Sequence, residues 1–156
     1  MSEKSRLTDF VDGLETFLPG QMPEPVFEAV ARLVVTPTFV VVPLFWGVDG
    51  PRIILTRRSK SDSQYAGMLH PPGKIMLASD ASLDAVFARL MNSEMPNLIP
   101  LSTPVFVGHF FDQITRGKEI SLVHYLEIHS PSEDVASYDC NDLPEDVIVN
   151  DIARIE

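Results

Sequence analysis

The chain has 156 residues, with 12 lysines and arginines against 22 aspartates and glutamates, so its formal net charge is −10 at pH 7. This length suits one globular domain, and the acidic balance argues against binding to duplex nucleic acid, whose phosphates favour a basic surface. The longest apolar run, residues 39–46, is far shorter than the roughly 20 residues that span a membrane. Cys140 is the single cysteine and no signal-peptide core follows the first residues, so the sequence predicts a cytoplasmic protein without disulfides.

Residues 1–35 are predicted to form a helical extension of two short helices. Apolar residues recur at helical spacing over 7–18 and again over 26–34, and Pro19-Gly20 ends the first run. Pro25 suits the first turn of the second helix, where a proline removes no helical hydrogen bond. These helices are predicted to form a flap on the main core, and the alternative is that they join two copies of the chain in a homodimer.

Residues 36–156 are predicted to form one domain that begins with a β-hairpin. The pattern changes over 38–46 to β-branched and aromatic residues, with Trp46 expected in the core. A turn at 47–50 leads to a second strand at 51–57. The polar stretch at 59–67 is predicted to be a surface loop.

The remainder of the domain is predicted to alternate helices and strands. A helix is expected over 82–95, with Ser82 or Ser79 as its cap, because apolar residues form one stripe and Pro96 ends it. Strands follow at 103–111 and 119–129. A last helix is expected to begin at Asp142-Leu-Pro-Glu145. This order predicts an α/β fold, a mixed α+β sheet flanked by helices.

One segment resembles the Nudix (MutT-like) family. It comprises the strand at 53–58, the polar loop, the turn at 68–75 with its Pro-Pro-Gly, and the helix that begins near Ser82. In that family a strand ending in basic residues precedes a Pro-Gly-rich turn, which opens the box G-x5-E-x7-R-E-U-x-E-E-x-G-U, where U is aliphatic. The resemblance extends over 36–156 and implies a Nudix-like α/β/α sandwich, here with an N-terminal helical extension.

The resemblance also implies a chemistry. Enzymes of this family hydrolyse nucleoside diphosphates linked to another group, and acidic residues on one face of the box helix hold Mg²⁺, which neutralises the pyrophosphate. It therefore implies Mg²⁺ as a cofactor, with a weakened site, and a phosphorylated, nucleotide-like small molecule as the partner.

The box is incomplete in this chain, whichever way its helix is aligned with Gly73. With one extra residue in the loop, the metal-binding pair of acids becomes Asn92-Ser93. With two extra residues the pair becomes Ser93-Glu94, and Arg89 takes the position of the box arginine. The first alignment is preferred for its packing, because Ala85, Val86 and Leu90 take the family's apolar positions. Neither keeps two acids, and one carboxylate binds Mg²⁺ poorly.

The candidate site residues follow from the resemblance and from clustered charge. Asp80 and Glu94 are the candidate metal ligands, and Glu94 and Glu119 the candidate catalytic acids. A phosphate-binding set follows the hairpin, since arginine forks bind phosphate oxygens, and an aromatic ring there could stack on a base: Arg57, Arg58, Tyr65, Gly73 and Lys74.

The remaining polar candidates are His70, His109 and Asp112, which could meet Glu119 near one end of the sheet.

The missing acids predict a member of the superfamily that binds a phosphorylated ligand or a partner protein with little standard hydrolysis. The alternative is a divergent Mg²⁺-dependent pyrophosphohydrolase whose rebuilt metal site uses Asp80, Glu94 and Glu119. A third possibility is a subunit that assembles through its early helices.

Overall fold

A central mixed sheet carries helices on both faces in the computed structural model, which describes residues 3–156. The elements in chain order are α1 (Glu3–Glu15), α2 (Glu24–Ala31), β1 (Val35–Gly47), β2 (Gly50–Ile53), β3 (Thr56–Arg57), β4 (Leu69–His70), β5 (Gly73–Ile75), α3 (Leu83–Glu94), β6 (Val105–Ile114), β7 (Gly117–Glu127), β8 (Tyr138–Asp139) and α4 (Val149–Ile155). Within this described range, no helix is long and apolar enough to cross a membrane.

The long strand β1 lies at the centre of the sheet, in the order β6-β7-β1-β2-β8. β7 runs parallel to β1, and the other pairs are antiparallel. The other edge of β1 is shared, since residues 44–47 pair with β2 and residues 38–40 pair with β5. β2 and β5 therefore leave β1 at different points, and the short sheet of β3 and β4 lies between them in sequence.

Side chains of β1 alternate between two apolar cores, as successive residues of a strand must. Phe39, Val41 and Phe45 join the cluster that includes Val86 and Leu90 of α3. The intervening residues, such as Val40, join the second cluster, against which Ile152 and Ile155 of α4 pack. One core therefore lies on each face of the sheet, which confirms the predicted α/β/α sandwich.

The hairpin and the box helix form as predicted. Gly47 pairs with Gly50 at the turn between β1 and β2. The N-cap of α3 is Ser82, whose Oγ accepts a hydrogen bond of 3.2 Å from the Ala85 amide. This bond satisfies one of the amides that a helix leaves free in its first turn, so the helix begins where its cap predicts.

Two expectations on the main domain were wrong. The last helix begins at Val149 rather than at Asp142, and its N-cap, Ile148, makes no side-chain capping bond. Trp46 is 70% exposed rather than part of the core, because it lies beside the solvent-facing turn at Gly47. The strands β4, β5 and β8 are two or three residues long, too short for a period-2 pattern to predict them.

The helical extension lies against the main domain through α2. Pro25 falls in the first turn of α2, as predicted, and Ala31 at its end is buried. In contrast, α1 buries none of its residues, and its apolar side chains Leu7, Phe10 and Val11 are exposed. A homodimer through these helices remains a prediction.

Replacing Gly117 by alanine is expected to destabilise the fold by about 2 kcal/mol. Gly117 begins β7 with a φ of +146°, and an added Cβ would meet the Ala31 carbonyl oxygen of α2 at 2.5 Å. Urea unfolding measures the change. Gly108→Ala is the matched control, because an added Cβ there meets nothing within 4 Å. Equal stability of the two variants would contradict a close contact between α2 and β7.

Candidate functional site

A polar cavity of about 650 Å³ lies beside the part of β1 that pairs with β5. The short sheet of β3 and β4 also lines it. Residues of both sheets, α3, β7 and α4 line it. The lining includes four acids, Asp62, Glu94, Glu119 and Asp151, and six basic residues, Arg57, Arg58, Lys74, Arg89, Arg116 and Arg154. Half of the 12 basic residues of an acidic chain therefore surround one cavity.

Lys74 and Glu94 form an ion pair on one wall. Lys74 Nζ lies 2.9 Å from Glu94 Oε1, and the Gly73 amide donates a hydrogen bond of 3.2 Å to Glu94 Oε2. Both carboxylate oxygens of Glu94 therefore already have donors. These contacts join β5 to the end of α3, because Gly73 and Lys74 belong to β5 and Glu94 is the last residue of the helix.

The cavity also distinguishes the two alignments of the box helix. Arg89, Ser93 and Glu94 line the cavity, whereas Asn92 is exposed and lies outside the lining. The alignment with two extra loop residues, which pairs Ser93 with Glu94, therefore matches the geometry. The preferred alignment with one extra residue instead keeps the fully buried Leu90 at an aliphatic position of the box, so the register of the helix remains a prediction.

Asp80 lies behind Arg89 rather than in the cavity lining. Its two oxygens accept hydrogen bonds of 2.7 and 3.1 Å from the Arg89 guanidinium, and the Leu77 amide donates a third of 2.7 Å. The Arg89 hydrogen bonds, more than any other contact, hold the pKa of Asp80 below its ordinary value. Asp80, expected as a metal ligand, instead orients a guanidinium that also donates to the Ile75 carbonyl.

Asp80→Asn is expected to lower the free energy of unfolding at pH 7 by about 1 kcal/mol. Because the pKa of Asp80 is lower in the folded state, its stabilisation is present above the unfolded pKa and is lost as the pH falls through the folded pKa. The gap between wild type and variant should therefore close below about pH 4. Urea unfolding at pH 7, 5 and 3 measures it, with the exposed Asp9→Asn as control. A gap that does not change with pH would contradict this role.

A buried ionic cluster forms the opposite wall. Arg154 donates to Asp112 at 2.7 Å, to Glu119 at 3.3 Å and to Asp151. Glu119 also accepts from Arg116 at 2.8 Å and from the Ser121 hydroxyl at 3.0 Å. Burial raises the pKa of Asp151 although Arg154 opposes this shift, whereas the carboxylates around Arg154 outweigh burial and raise its pKa. Arg154 therefore remains charged and binds α4 to β6 and β7.

Arg57 ends the strand β3, Arg58 follows it, and both line the cavity. Arg57 donates at 2.5 Å to both the Gly67 carbonyl and Asp146, and the hydrogen bond with Asp146 raises its pKa. Arg58 pairs with Asp62 at 3.0 Å, and its guanidinium lies 5.8 Å from the centre of the Tyr65 ring. Tyr65 itself lines a smaller neighbouring cleft of about 90 Å³ rather than the polar cavity.

His70 is a neutral member of the cavity wall. Its Nδ1 lies 2.7 Å from the Pro71 carbonyl oxygen, which can only accept, so Nδ1 carries the proton. Nε2 then accepts from the Thr56 hydroxyl at 3.2 Å. Burial first, and then the charge of Arg58, lower the pKa of His70. His70 thus holds β4 against β3 and offers little as a proton acceptor at neutral pH.

Several donors of the cavity residues have no partner in the protein. Within residues 3–156, the buried side-chain nitrogen and oxygen atoms without a hydrogen-bond partner are Thr38 Oγ1 and the Nε atoms of Arg58, Arg116 and Arg154. All four belong to residues that line this cavity. An unsatisfied buried donor costs about 1–3 kcal/mol, so this part of the structure carries a polar cost that the remainder of the fold offsets.

The structure brings together six of the eight predicted site residues. Arg57, Arg58, Gly73, Lys74, Glu94 and Glu119 line the cavity, whereas Tyr65 and Asp80 lie beside it. Of the other candidates, His70 lines it and Asp112 contacts it through Arg154, but His109 is exposed on β6. The roles assigned to these residues remain predictions.

Sequence reasoning missed Arg116, Asp151 and Arg154, which come from distant parts of the chain. One signal was present for Asp151. It lies three residues after Ile148 and four before Ile155, on the apolar face of the last helix. An acid at such a position is buried and needs a basic partner, which Arg154 provides one turn later.

The carboxylates present do not fit a magnesium site. Mg²⁺ requires oxygen ligands with concentrated negative charge. Here Glu94 pairs with Lys74, Asp80 with Arg89, and Glu119 with Arg116 and Arg154. Residues 3–156 contain no group of three or more His, Cys, Asp or Glu side chains arranged to hold a metal ion. The implied cofactor therefore has no ready donor set.

Comparison with known proteins identifies the fold. No protein-family model and no curated protein matches the sequence. Among solved structures, a chain in the complex between the C-terminal domain of mouse MUTYH and human PCNA is 16% identical with a TM-score of 0.58, covering 78% of this chain and 85% of that one. A mutT/nudix family protein from Listeria innocua is 14% identical with a TM-score of 0.55, covering 77% and 88%.

A MutT protein from Methanosarcina mazei Go1 is 17% identical with a TM-score of 0.54, covering 78% of this chain and 90% of that one. These structural similarities define the fold class of the chain as a mixed α/β sandwich, in agreement with its sheet order. The fold is Nudix-like, as the sequence predicted. Identities of this size concern the fold alone.

Proposed function

We propose that the polar cavity binds a phosphorylated small molecule of nucleotide-like size, with little or no Mg²⁺-dependent hydrolysis. One observation carries the proposal: six of the 12 basic residues of this acidic chain line one cavity, which contains four acids. Its volume of about 650 Å³ falls within the roughly 300–1,000 Å³ typical of ligand cavities.

Phosphate oxygens match the chemistry of this wall. Guanidinium groups donate several hydrogen bonds in a fixed plane and bind phosphate with two at once. Asp80 and Asp146 contact Arg89 and Arg57 without lining the cavity, so they orient these guanidinium groups from outside it. A ligand with several acceptor oxygens would match the lysine and arginine donors of this lining.

The absence of standard hydrolysis is proposed from the state of the acids. Glu94 is the one acid that the matching alignment leaves at the metal-binding pair of the box, and Lys74 already neutralises it. A rebuilt metal site would require Asp80, Glu94 and Glu119 to release Arg89, Lys74, Arg116 and Arg154. Each release would leave an unpaired charge, which is costly in a partly buried site.

Turnover assays separate this proposal from the divergent hydrolase. The chain is incubated with a panel of nucleoside diphosphate derivatives and Mg²⁺ or Mn²⁺, and phosphate is measured after phosphatase treatment. We expect no turnover above the background, in protein whose circular dichroism shows it folded. Turnover at ordinary enzymatic rates, about 1 per second or faster, that falls at least about 100-fold in Glu94→Gln would establish the hydrolase instead.

A further inference from the structure

A second cavity of about 650 Å³ lies between the helical extension and the main domain. Its wall is apolar and comes from α1, α2 and the segment that links them, facing the start of β1 and the end of β5. The apolar side chains that line it include Leu14, Phe17, Met22, Phe27, Val30 and Met76. Open apolar surface of this kind is unfavourable in water, and its burial by an apolar group is favourable.

The apolar cavity and the polar cavity adjoin each other. Gly20, Ile75 and Leu77 line both of them. Lys74 lines the polar cavity and Ile75, the next residue of β5, lines both, so this short strand contributes to the two cavities. Gly20 has a φ of +79°, and a Cβ there would lie 2.9 Å from Leu77 Cδ1. Gly20 therefore packs directly against the Leu77 side chain where the two linings meet.

We infer that the ligand is amphiphilic, with a phosphate or diphosphate head in the polar cavity and an apolar tail in the apolar cavity. This inference rests on the proposed function, since it assigns the head to the same donors. It adds to the proposed function that the part of the ligand outside the polar cavity is apolar. The observation that joins a basic site to an apolar one is that Gly20, Ile75 and Leu77 line both cavities.

Alkyl phosphates of increasing length test the inference by calorimetry, below the concentrations at which they form micelles. Inorganic pyrophosphate measures binding of the head alone. From methyl to butyl to octyl phosphate, we expect affinity to rise about four-fold for each added methylene that is buried. 1-Octanol, which has the tail without the head, should bind at least 10-fold more weakly than octyl phosphate.

Leu14→Trp should fill the apolar cavity and remove the gain from the octyl tail while leaving pyrophosphate binding unchanged. Leu7→Trp is the matched control, because Leu7 lies on the same helix, is 64% exposed and does not line the cavity. Val30→Phe, a smaller addition to the same cavity, replaces Leu14→Trp if that variant unfolds.

The outcomes separate this inference from the proposed function. Pyrophosphate binding with no gain from the alkyl tail would overturn the amphiphilic ligand and leave the anion site in place. Octanol binding as tight as that of octyl phosphate, or an octyl gain that survives Leu14→Trp and Val30→Phe, would overturn it as well. Failure of both pyrophosphate and alkyl phosphates to bind would overturn the anion site itself, and the inference with it.

Discussion

Arg154→Ala is expected to destabilise the fold by about 3–5 kcal/mol, the largest effect of any substitution considered. The side chain of Arg154 is only 7% exposed and donates to three carboxylates, two of which are also 7% exposed. Without the guanidinium, Asp112, Glu119 and Asp151 would share a site with Arg116 as the nearest cation. Removing the cation from a buried ion pair leaves uncompensated negative charges, and this costs more free energy than the intact ion pair contributes.

Urea unfolding followed by circular dichroism measures the Arg154 effect. Arg6→Ala is the control for loss of an arginine, because Arg6 is exposed on α1, and it should change stability by less than about 0.5 kcal/mol. A second variant, Arg154→Lys, keeps the positive charge but loses the planar guanidinium that donates to several carboxylates at once. Its stability should therefore lie between those of wild type and Arg154→Ala. Wild-type stability in Arg154→Ala would mean that the cluster does not hold α4 to the sheet.

Lys74→Glu is expected to weaken pyrophosphate binding by at least about 100-fold. The change replaces an ammonium in the cavity by a carboxylate beside Glu94, so two negative charges would face the anion. At about 4 Å and an effective dielectric constant near 20, one unit charge is worth roughly 4 kcal/mol, ample for this loss. Isothermal titration of pyrophosphate into each protein measures it.

Lys60→Glu is the matched control for Lys74→Glu. It makes the same change of charge in the neighbouring loop, where Lys60 is exposed and does not line the cavity. Its affinity for pyrophosphate should fall less than about three-fold, from weaker long-range attraction. Equal losses in the two variants would mean that overall charge, rather than this wall of the cavity, controls binding.

The fold was largely predictable because its main elements have strong local signals. β1 alternates between two cores, and α3 has a serine cap, an apolar stripe and a following proline. The shorter elements were not predictable, since β4 and β8 have two residues each and exist through pairing with distant strands. The start of α4 was predicted wrongly because Asp142 resembles a cap but lies in a loop.

The site was predictable where its residues are close in sequence. Arg57, Arg58, Gly73 and Lys74 belong to one segment, and the family resemblance pointed to it. The wall formed by Arg116 and Arg154 was not predictable, because long-range packing of β7 and α4 brings it to the cavity. For Asp80, the sequence predicted a metal ligand but did not show that the side chain pairs with Arg89.

The most direct test of the central claim is isothermal titration of inorganic pyrophosphate into the wild-type chain in EDTA. We expect one site with a Kd below about 1 mM, because the lysine and arginines of the cavity supply the positive charge without a metal ion. The affinity for free pyrophosphate should not rise when Mg²⁺ replaces EDTA. Binding that requires Mg²⁺, or no binding under either condition, would contradict the account.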